Sequence, residues 1–372
     1  GQDILYQWVA RMICIGLYVT GEIPFSTVYL HGMVRSEDGR KMSKSLGNVI
    51  NPKEVIESNG ADALRMGMLA GRSAGYSAAY APGKITAGRN FCNKLWNIAR
   101  YCEVGLGDDF SRENTHVTSL ADHWIADKAS QAIHDVSQLI EEYRFSEAYD
   151  RVYHFVWDEL ADWYIEASKV APNKQLLATL LETILKLAHP FAPFVTETIL
   201  QTIGWTGDSL LITEPWPTAV SFDAKRAVEF EEVQKIVNEI RYITTALEVK
   251  GASFYFTKNS FLSENADLIK RLAKTHYAKE VTDGHGMHLT STKLDCWLDI
   301  DLATAERYVI KLKVNKLEKE ASIERLNARL NNKSYTDKAP SHVVQQTKEQ
   351  LNEEQQLLEK IEKEIATFSA AK

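Results

Sequence analysis

Two lysines three residues apart, with two small hydroxyl residues beside them, stand in one polar stretch: Lys41-Met42-Ser43-Lys44-Ser45. A lysine ammonium is a compact charge on a flexible stem, so it can follow phosphate charge as bonds rearrange. Serine hydroxyls and backbone N–H groups add donors without bulk. Gly39 before the stretch and Gly47 after it let the chain bend. These residues predict a mobile clamp on a polyphosphate. A basic surface loop or a phosphorylation site would carry the same five residues.

The elements that must position this loop read as follows. Residues 4–20 are apolar almost all round (Ile4, Leu5, Trp8, Val9, Met12, Ile13, Ile15, Leu17), which predicts a buried helix stopped by Thr20-Gly21 and Pro24. A short buried strand is expected at 28–30 and a polar loop over 35–48. Asn51-Pro52 caps a helix, and Gly60-Ala61-Asp62 opens another. From 89 to 200 leucine, isoleucine and tryptophan recur at helical spacing. Residues 221–299 read as mixed: helix over 229–249, strand over 253–256, helix over 266–278 and strand over 296–300. Last comes a seam of Leu302, Ala305, Val309, Leu312, Lys316, Lys319, Ile323, Leu326 and Leu330, answered by Val344, Thr347, Leu351, Glu354, Leu358, Ile361, Ile365 and Phe368. Asn331-Asn332 and Ala339-Pro340 break the pattern between them. This predicts an antiparallel coiled-coil hairpin with arms of about 40 Å. A dimerising coiled coil would have the same spacing. The polar Lys316, Lys319 and Glu354 favour a slender, partly solvated arm.

Composition bounds the function classes. The 372 residues are 45% hydrophobic and 25% charged, as in soluble globular proteins. No apolar run approaches the ~20 residues that span a bilayer. Cys14, Cys92, Cys102 and Cys296 are scattered, which predicts reduced thiols in a cytoplasmic protein and no disulfide or zinc framework. Asp283, His285, His288 and Cys296 lack a regular ligand spacing, so no protein-bound metal is expected. A net charge of -7 means that any nucleic acid must meet local basic surfaces. The chain enters structured sequence at Gly1-Gln2-Asp3-Ile4 without Met or leader, as expected for the C-terminal portion of a longer protein.

Further stretches accompany the lysine loop in a fixed order. They are Trp8-Val9-Ala10-Arg11-Met12, Gly21-Glu22-Ile23-Pro24-Phe25, His31-Gly32-Met33-Val34-Arg35 and Gly60-Ala61-Asp62-Ala63-Leu64-Arg65. Then come Asn90-Phe91-Cys92-Asn93-Lys94-Leu95-Trp96-Asn97, Asp162-Trp163-Tyr164-Ile165-Glu166 and His189-Pro190-Phe191-Ala192-Pro193-Phe194. The set resembles the class I aminoacyl-tRNA synthetases, in the branch specific for valine, isoleucine and leucine. The surroundings of the lysine loop resemble the valine members, as does a helical-hairpin ending whose loop carries Lys338-Ala339-Pro340. Isoleucine members commonly end in a cysteine-rich zinc module, a spacing absent here.

The resemblance implies a mainly α fold with a partial α/β segment. Residues 1–50 would end a Rossmann-like catalytic domain, 51–88 form a connecting stem-contact segment and 89–220 a helical anticodon-binding domain. Residues 221–299 would be a small α/β segment and 300–372 a coiled-coil tRNA-binding arm. It implies a monomeric translation enzyme that uses ATP with magnesium to convert valine to valyl-adenylate, then charges tRNA(Val). Lys41 and Lys44 would be catalytic; Met42, Ser43 and Ser45 would shape the loop around ATP. Gly1 and Asp3 match the ribose contact, and His31 and Gly32 the adenine contact. Asp3 reads equally as a helix cap, and His31 as a packed core histidine. Arg89, Asn90, Asn93, Lys94 and Trp96 are candidates to meet the anticodon, although Phe91, Leu95 and Trp96 read as core. Lys311, Lys313, Lys316, Lys319, Arg325 and Arg329 are candidates for tRNA phosphates, with a solvated helix face as the alternative.

The family's HIGH-type motif is not found: His285-Gly286-Met287-His288 has the wrong order and lies far downstream. No editing domain is present, so the isolated chain is expected not to form valyl-adenylate. The other readings are an isoleucyl or leucyl member, or a tRNA-binding module without catalysis.

Overall fold

The apolar stretch near the N-terminus does form a helix, α1 (Ala10–Thr20), entered through a π-helical turn Leu5–Val9 and ended by Gly21 at φ 74°. It is not buried as its composition predicts. Val9 is its one buried large apolar residue, while Trp8, Ile15 and Val19 are 57%, 55% and 72% exposed. Apolar composition creates a tendency to burial, but burial requires an opposing surface, and the described residues supply none here. The strand expected at 28–30 is likewise absent: Val28 and Tyr29 are exposed, and pairing begins later.

This is a computed structural model that describes residues 1–107, 110, 115–205, 209–332 and 341–370. Lys338-Ala339-Pro340 lies outside the described residues. The fold is mostly helical with two small sheets. It divides into two units, Gly1–Val228 and Glu229–Lys372.

In the first unit, β1 (Val34–Arg35) pairs in parallel with β2 (Ala78–Ala79), a contact across more than forty residues of sequence. Between them lie α2 (Pro52–Asn59), capped by Asn51, and α3 (Ala61–Leu69). The bundle follows as α4 (Pro82–Leu106), α5 (Leu120–Glu141) and α6 (Phe145–His154). α6 runs through a π-helical stretch, Phe155–Tyr164, into the short α7 (Ile165–Ala167); α8 (Lys174–Ala188) and α9 (Pro193–Ile203) complete it. Phe91, Leu95, Ile125, Phe155, Leu160, Leu176 and Leu181 are fully buried among these helices.

Two buried carboxylates join the helices. Ser119 and Asp122 form a capping box that starts α5. Asp122 also accepts from Thr118, Asn173 and the Tyr164 hydroxyl. Asp62 of α3 accepts from Phe194 N–H at 3.3 Å and Val195 N–H at 2.7 Å, capping α9, while Arg65 donates to Pro190 O at 3.0 Å. The Gly60–Arg65 and His189–Phe194 stretches, far apart in sequence, thus meet as one structural joint.

The second unit contains most of α10 (Ala224–Ala246) and a four-stranded sheet built from β3 (Phe254–Phe256), β4 (Ala278–Glu280), β5 (Met287–His288) and β6 (Cys296–Leu298), ordered β4-β3-β6-β5. α11 (Ser260–Ala273) precedes β4; it starts and ends earlier than the periodicity predicts, because Asn259 caps it and Lys274 takes a left-handed conformation. Phe254, Phe256, Met287, Cys296 and Leu298 are buried, and Tyr255, Trp297 and His288 alternate with them on the other face. Glu239 of α10 accepts backbone and hydroxyl bonds from Thr290 and Ser291. Finally α12 (Leu302–Asn331) and α13 (Ser341–Ala370) lie side by side in opposite directions, as contacts Tyr308–Phe368, Lys316–Glu362 and Lys319–Glu354 require.

Candidate nucleotide-binding site and nucleic-acid contacts

The lysine loop leaves β1 through a tight hairpin. Arg35 bridges to Lys41, Ser36 N–H donates to Arg40 O, and Gly39 turns the chain at φ 80°. Asp38 holds the hairpin's far side. Hydrogen bonds from the Ser36 hydroxyl, the Arg40 N–H and the Arg40 guanidinium lower its carboxyl to about 2. Ser43 then caps a single 3-10 turn, Lys44–Leu46, and Gly47 closes it at φ 64°. The Ser43 and Ser45 hydroxyls lie 3.1 Å apart. Lys41 and Lys44 are exposed and make no ion pair among the described residues. Two unpaired ammonium groups on one short loop are a strong electrostatic attractor for a polyphosphate.

Lys41 faces a cleft of about 240 Å³ whose other walls are Gln2, Asp3, Gly32, Met33, Val34, Arg35, Gly75 and Ser77. Of the residues expected at a nucleotide, Asp3, Gly32 and Lys41 therefore come together. Gly1 packs beside Asp3 and Met33, where an added Cβ would lie 2.7 Å from Asp3 Oδ1. Met42, Ser43, Lys44 and Ser45 continue the loop beyond the cleft wall. His31 is exposed, not a core residue; its Nδ1 lies 3.0 Å from Gly32 O. Asp3 does not cap the first helical turn, whose cap position is Ile4 with no side-chain bond. At Gly32 a Cβ would stand 1.6 Å from Tyr76 O, so only glycine permits this approach of β1's lead-in to the 76–77 backbone. Gln2, Arg35, Gly75 and Ser77 were not predicted. Gly75 and Ser77 reach the cleft only because β2 pairs with β1.

A larger cleft of about 570 Å³ lies in the bundle, lined by Leu69, Ile140, Phe145, Pro190, Phe191 and Trp216 with Ser137 and Glu141. It contains no cationic side chain, so size notwithstanding it lacks what a triphosphate needs.

On α4, Arg89, Asn90 and Asn93 are exposed, while Phe91 and Leu95 are core. Trp96, expected as core, is 37% exposed. The reason is rotational: Leu95 already fills the inward position, and the next residue lies a hundred degrees round the helix. Lys94 is engaged within the chain, 3.2 Å from Asp162 and 4.8 Å above the Trp157 ring. In the C-terminal pair Lys311, Lys313, Arg325 and Arg329 are exposed. Lys316 and Lys319 instead cross to Glu362 at 2.7 Å and Glu354 at 2.9 Å. Their seam positions aim them at the partner helix, so they bridge helices and are not open phosphate contacts.

Known families match the chain in three blocks. Residues 1–79 match tRNA synthetases class I (I, L, M and V), 122–253 the anticodon-binding domain of tRNA ligase, and 306–369 the valyl tRNA synthetase tRNA binding arm. The valine--tRNA ligase of Staphylococcus saprophyticus is 35% identical over 379 residues, covering 94% of this chain and 43% of that protein. That of Staphylococcus carnosus is 33% identical over 403 residues, covering 100% and 45%. The chain belongs to the class I tRNA synthetases, in their valyl branch. This synthetase chain spans a little under half the length of the curated relatives it matches. Two solved structures also align in part. One is the LeuRS–tRNA–LeuAMS complex from Agrobacterium radiobacter K84, with TM-score 0.49 and 23% identity over 66% of this chain and 28% of that chain. The other is Mycobacterium tuberculosis methionyl-tRNA synthetase with methionyl-adenylate, with TM-score 0.46 and 20% identity over 60% and 48%.

Proposed function

We propose that this chain supplies the lysine loop and the tRNA-binding regions of a valine--tRNA ligase. The observation that carries this reading is the placement of Lys41 and Asp3 on one cleft, with Lys44 exposed on the same loop. ATP would enter as its magnesium complex. Valine's carboxylate attacks the α-phosphate, the bond to the β-phosphate breaks, and pyrophosphate leaves; a terminal ribose hydroxyl of tRNA(Val) then takes the valyl group, and AMP leaves as the acyl–phosphate bond breaks. Lys41 and Lys44 stabilise the charge that builds on the leaving phosphates. Asp3 accepts from ribose hydroxyls, and His31 and Gly32 flank adenine. Ser43 and Ser45 hold the loop's shape, with Met42 between the lysines, and Gly1 stands beside Asp3 at the ribose.

The five-part division at 50, 88, 220 and 299 follows from this reading. Arg89, Asn90 and Asn93 would meet the anticodon side of tRNA(Val). Lys311, Lys313, Arg325 and Arg329 would meet its phosphates from a coiled-coil arm. The relatives are more than twice as long as this chain, and the exposed apolar side of α1 is where we place the contact with the remainder of such an enzyme. A monomeric, cytoplasmic enzyme fits this role; no helix among the described residues is long and apolar enough to cross a membrane.

The test is valine-dependent ATP–pyrophosphate exchange by a complete ligase containing this chain. Lys44→Ala should lower its rate about 100-fold, the usual cost of one preorganised contact to transition-state charge. Full activity of that variant, or exchange driven by isoleucine in preference to valine, would reject the assignment.

A further inference from the structure

One side chain outside the lysine loop ties it at two points. Asn48 Oδ1 accepts from Ser43 N–H at 2.9 Å, and its Nδ2 donates to Lys41 O and to Ser36 Oγ, both at 3.2 Å. Ser36 is buried, at 6% exposure, and its oxygen lies 2.6 Å from Asp38 Oδ1 and 2.9 Å from Arg40 O. Accepting from Asn48, it gives its one proton to either of these. Asn48 is thereby continuous with the hairpin that leaves β1. Apart from the Arg35–Lys41 bridge at its entry, the loop's other bonds among the described residues are local: Leu46 N–H to Ser43, Gly47 N–H to Lys44 O, and Ser43 to Ser45. Such three-residue bonds travel with the loop and cannot anchor it.

We propose that Asn48 is a positioning residue that fixes the lysine loop to its hairpin and so sets where the Lys41 and Lys44 ammonium groups stand. Asparagine suits the task because one amide offers both an acceptor for Ser43 and two donors for Lys41 and Ser36. Aspartate would keep the acceptor and lose both donors. This inference rests on the proposed ligase function for its consequence, not for its geometry.

The first experiment is hydrogen exchange on the full chain. Asn48→Ala should speed exchange of the amides over 42–46 roughly tenfold, while amides in α4 and α5 keep their protection. Asn48→Asp should fall between the variant and the original. Unchanged exchange over 42–46, or an equal rise everywhere, would overturn the anchor. The second is ATP–pyrophosphate exchange by a complete ligase containing this chain. Asn48→Ala should lower kcat roughly tenfold and leave KM for valine unaltered, a split that a merely stabilising residue would not produce. An unaltered kcat would overturn the positioning role. If the original enzyme itself fails to activate valine, the ligase reading fails, and hydrogen exchange still decides whether Asn48 anchors the loop.

Discussion

Cys14 sits on the exposed side of α1, whereas Cys102 and Cys296 are buried and Cys92 is half-buried beside Met66. Burial pushes each of the last three thiols up to about 12, with Asp62 adding to the effect at Cys92. Since the thiolate is the reactive species, these three are inert near neutrality. A maleimide at pH 7.5 should therefore modify one thiol per folded chain, at Cys14, and four in denaturant. Peptide mapping that finds Cys102 or Cys296 modified in the folded chain would contradict the packing described. The same scale holds Gly32, where the side chain's absence permits the close approach to Tyr76 O.

Among the elements, the start of α5 is a buried joint held by one carboxylate. Asp122 is 1% exposed and gathers donors from Thr118, Ser119, Asn173 and Tyr164. Asp122→Ala removes the carboxylate and strands those donors, so unfolding of the first unit should become about 3 kcal/mol easier. Denaturant titration would check this, and a loss below about 1 kcal/mol would show that water replaces the carboxylate. Two histidines make the same unit sensitive to acid. Burial lowers both His123 and His189 from the usual 6.5. His123 Nδ1 accepts from Asp223 N–H, and His189 Nδ1 meets the Thr196 hydroxyl at 2.9 Å. The folded chain then binds fewer protons than the unfolded chain below that value. Stability is fully present above pH ~6.5 and falls as the pH drops through the unfolded histidine range. Melting temperatures between pH 7.5 and 5.5 should decline, and His189→Gln should decline less. An equal slope in the two proteins would assign the effect to carboxylates.

For the molecule as a whole, electrostatics must be local because the net charge is -7. Lys311 and Lys313 are exposed, while Lys316 is held by Glu362, whose hydrogen bond raises its pKa. If the C-terminal helices meet tRNA phosphates, replacing Lys311 and Lys313 together by Ala should weaken binding. It should also reduce the salt dependence of the affinity by about two counterions, one for each contact. Replacing Lys316 should leave that dependence unaltered and lower the stability of the helix pair. Binding to tRNA(Val) measured at two salt concentrations separates these outcomes, and an equal salt slope for both variants would remove the phosphate role from Lys311 and Lys313.

Much of this protein was legible from one dimension. The lysine loop, the helix cap at Asn51, the helical bundle and the opposed C-terminal helices depend on near neighbours or on regular spacing. Local propensity and periodicity report these directly. The candidate nucleotide cleft was legible only in part: Asp3, Gly32 and Lys41 were named, but Gly75 and Ser77 arrive through the pairing of β1 with β2. Periodicity carries no record of which distant strands will pair. Nor could spacing show that Asn48 reaches back to Ser43 and Lys41, that Asp62 caps a helix whose N–H groups lie 132 and 133 residues on, or that Lys316 and Lys319 pair with the partner helix. The exposed α1 makes the same point in reverse. Its residues determine an apolar helix, but whether that helix is buried is decided by what stands opposite, which is a property of tertiary structure alone.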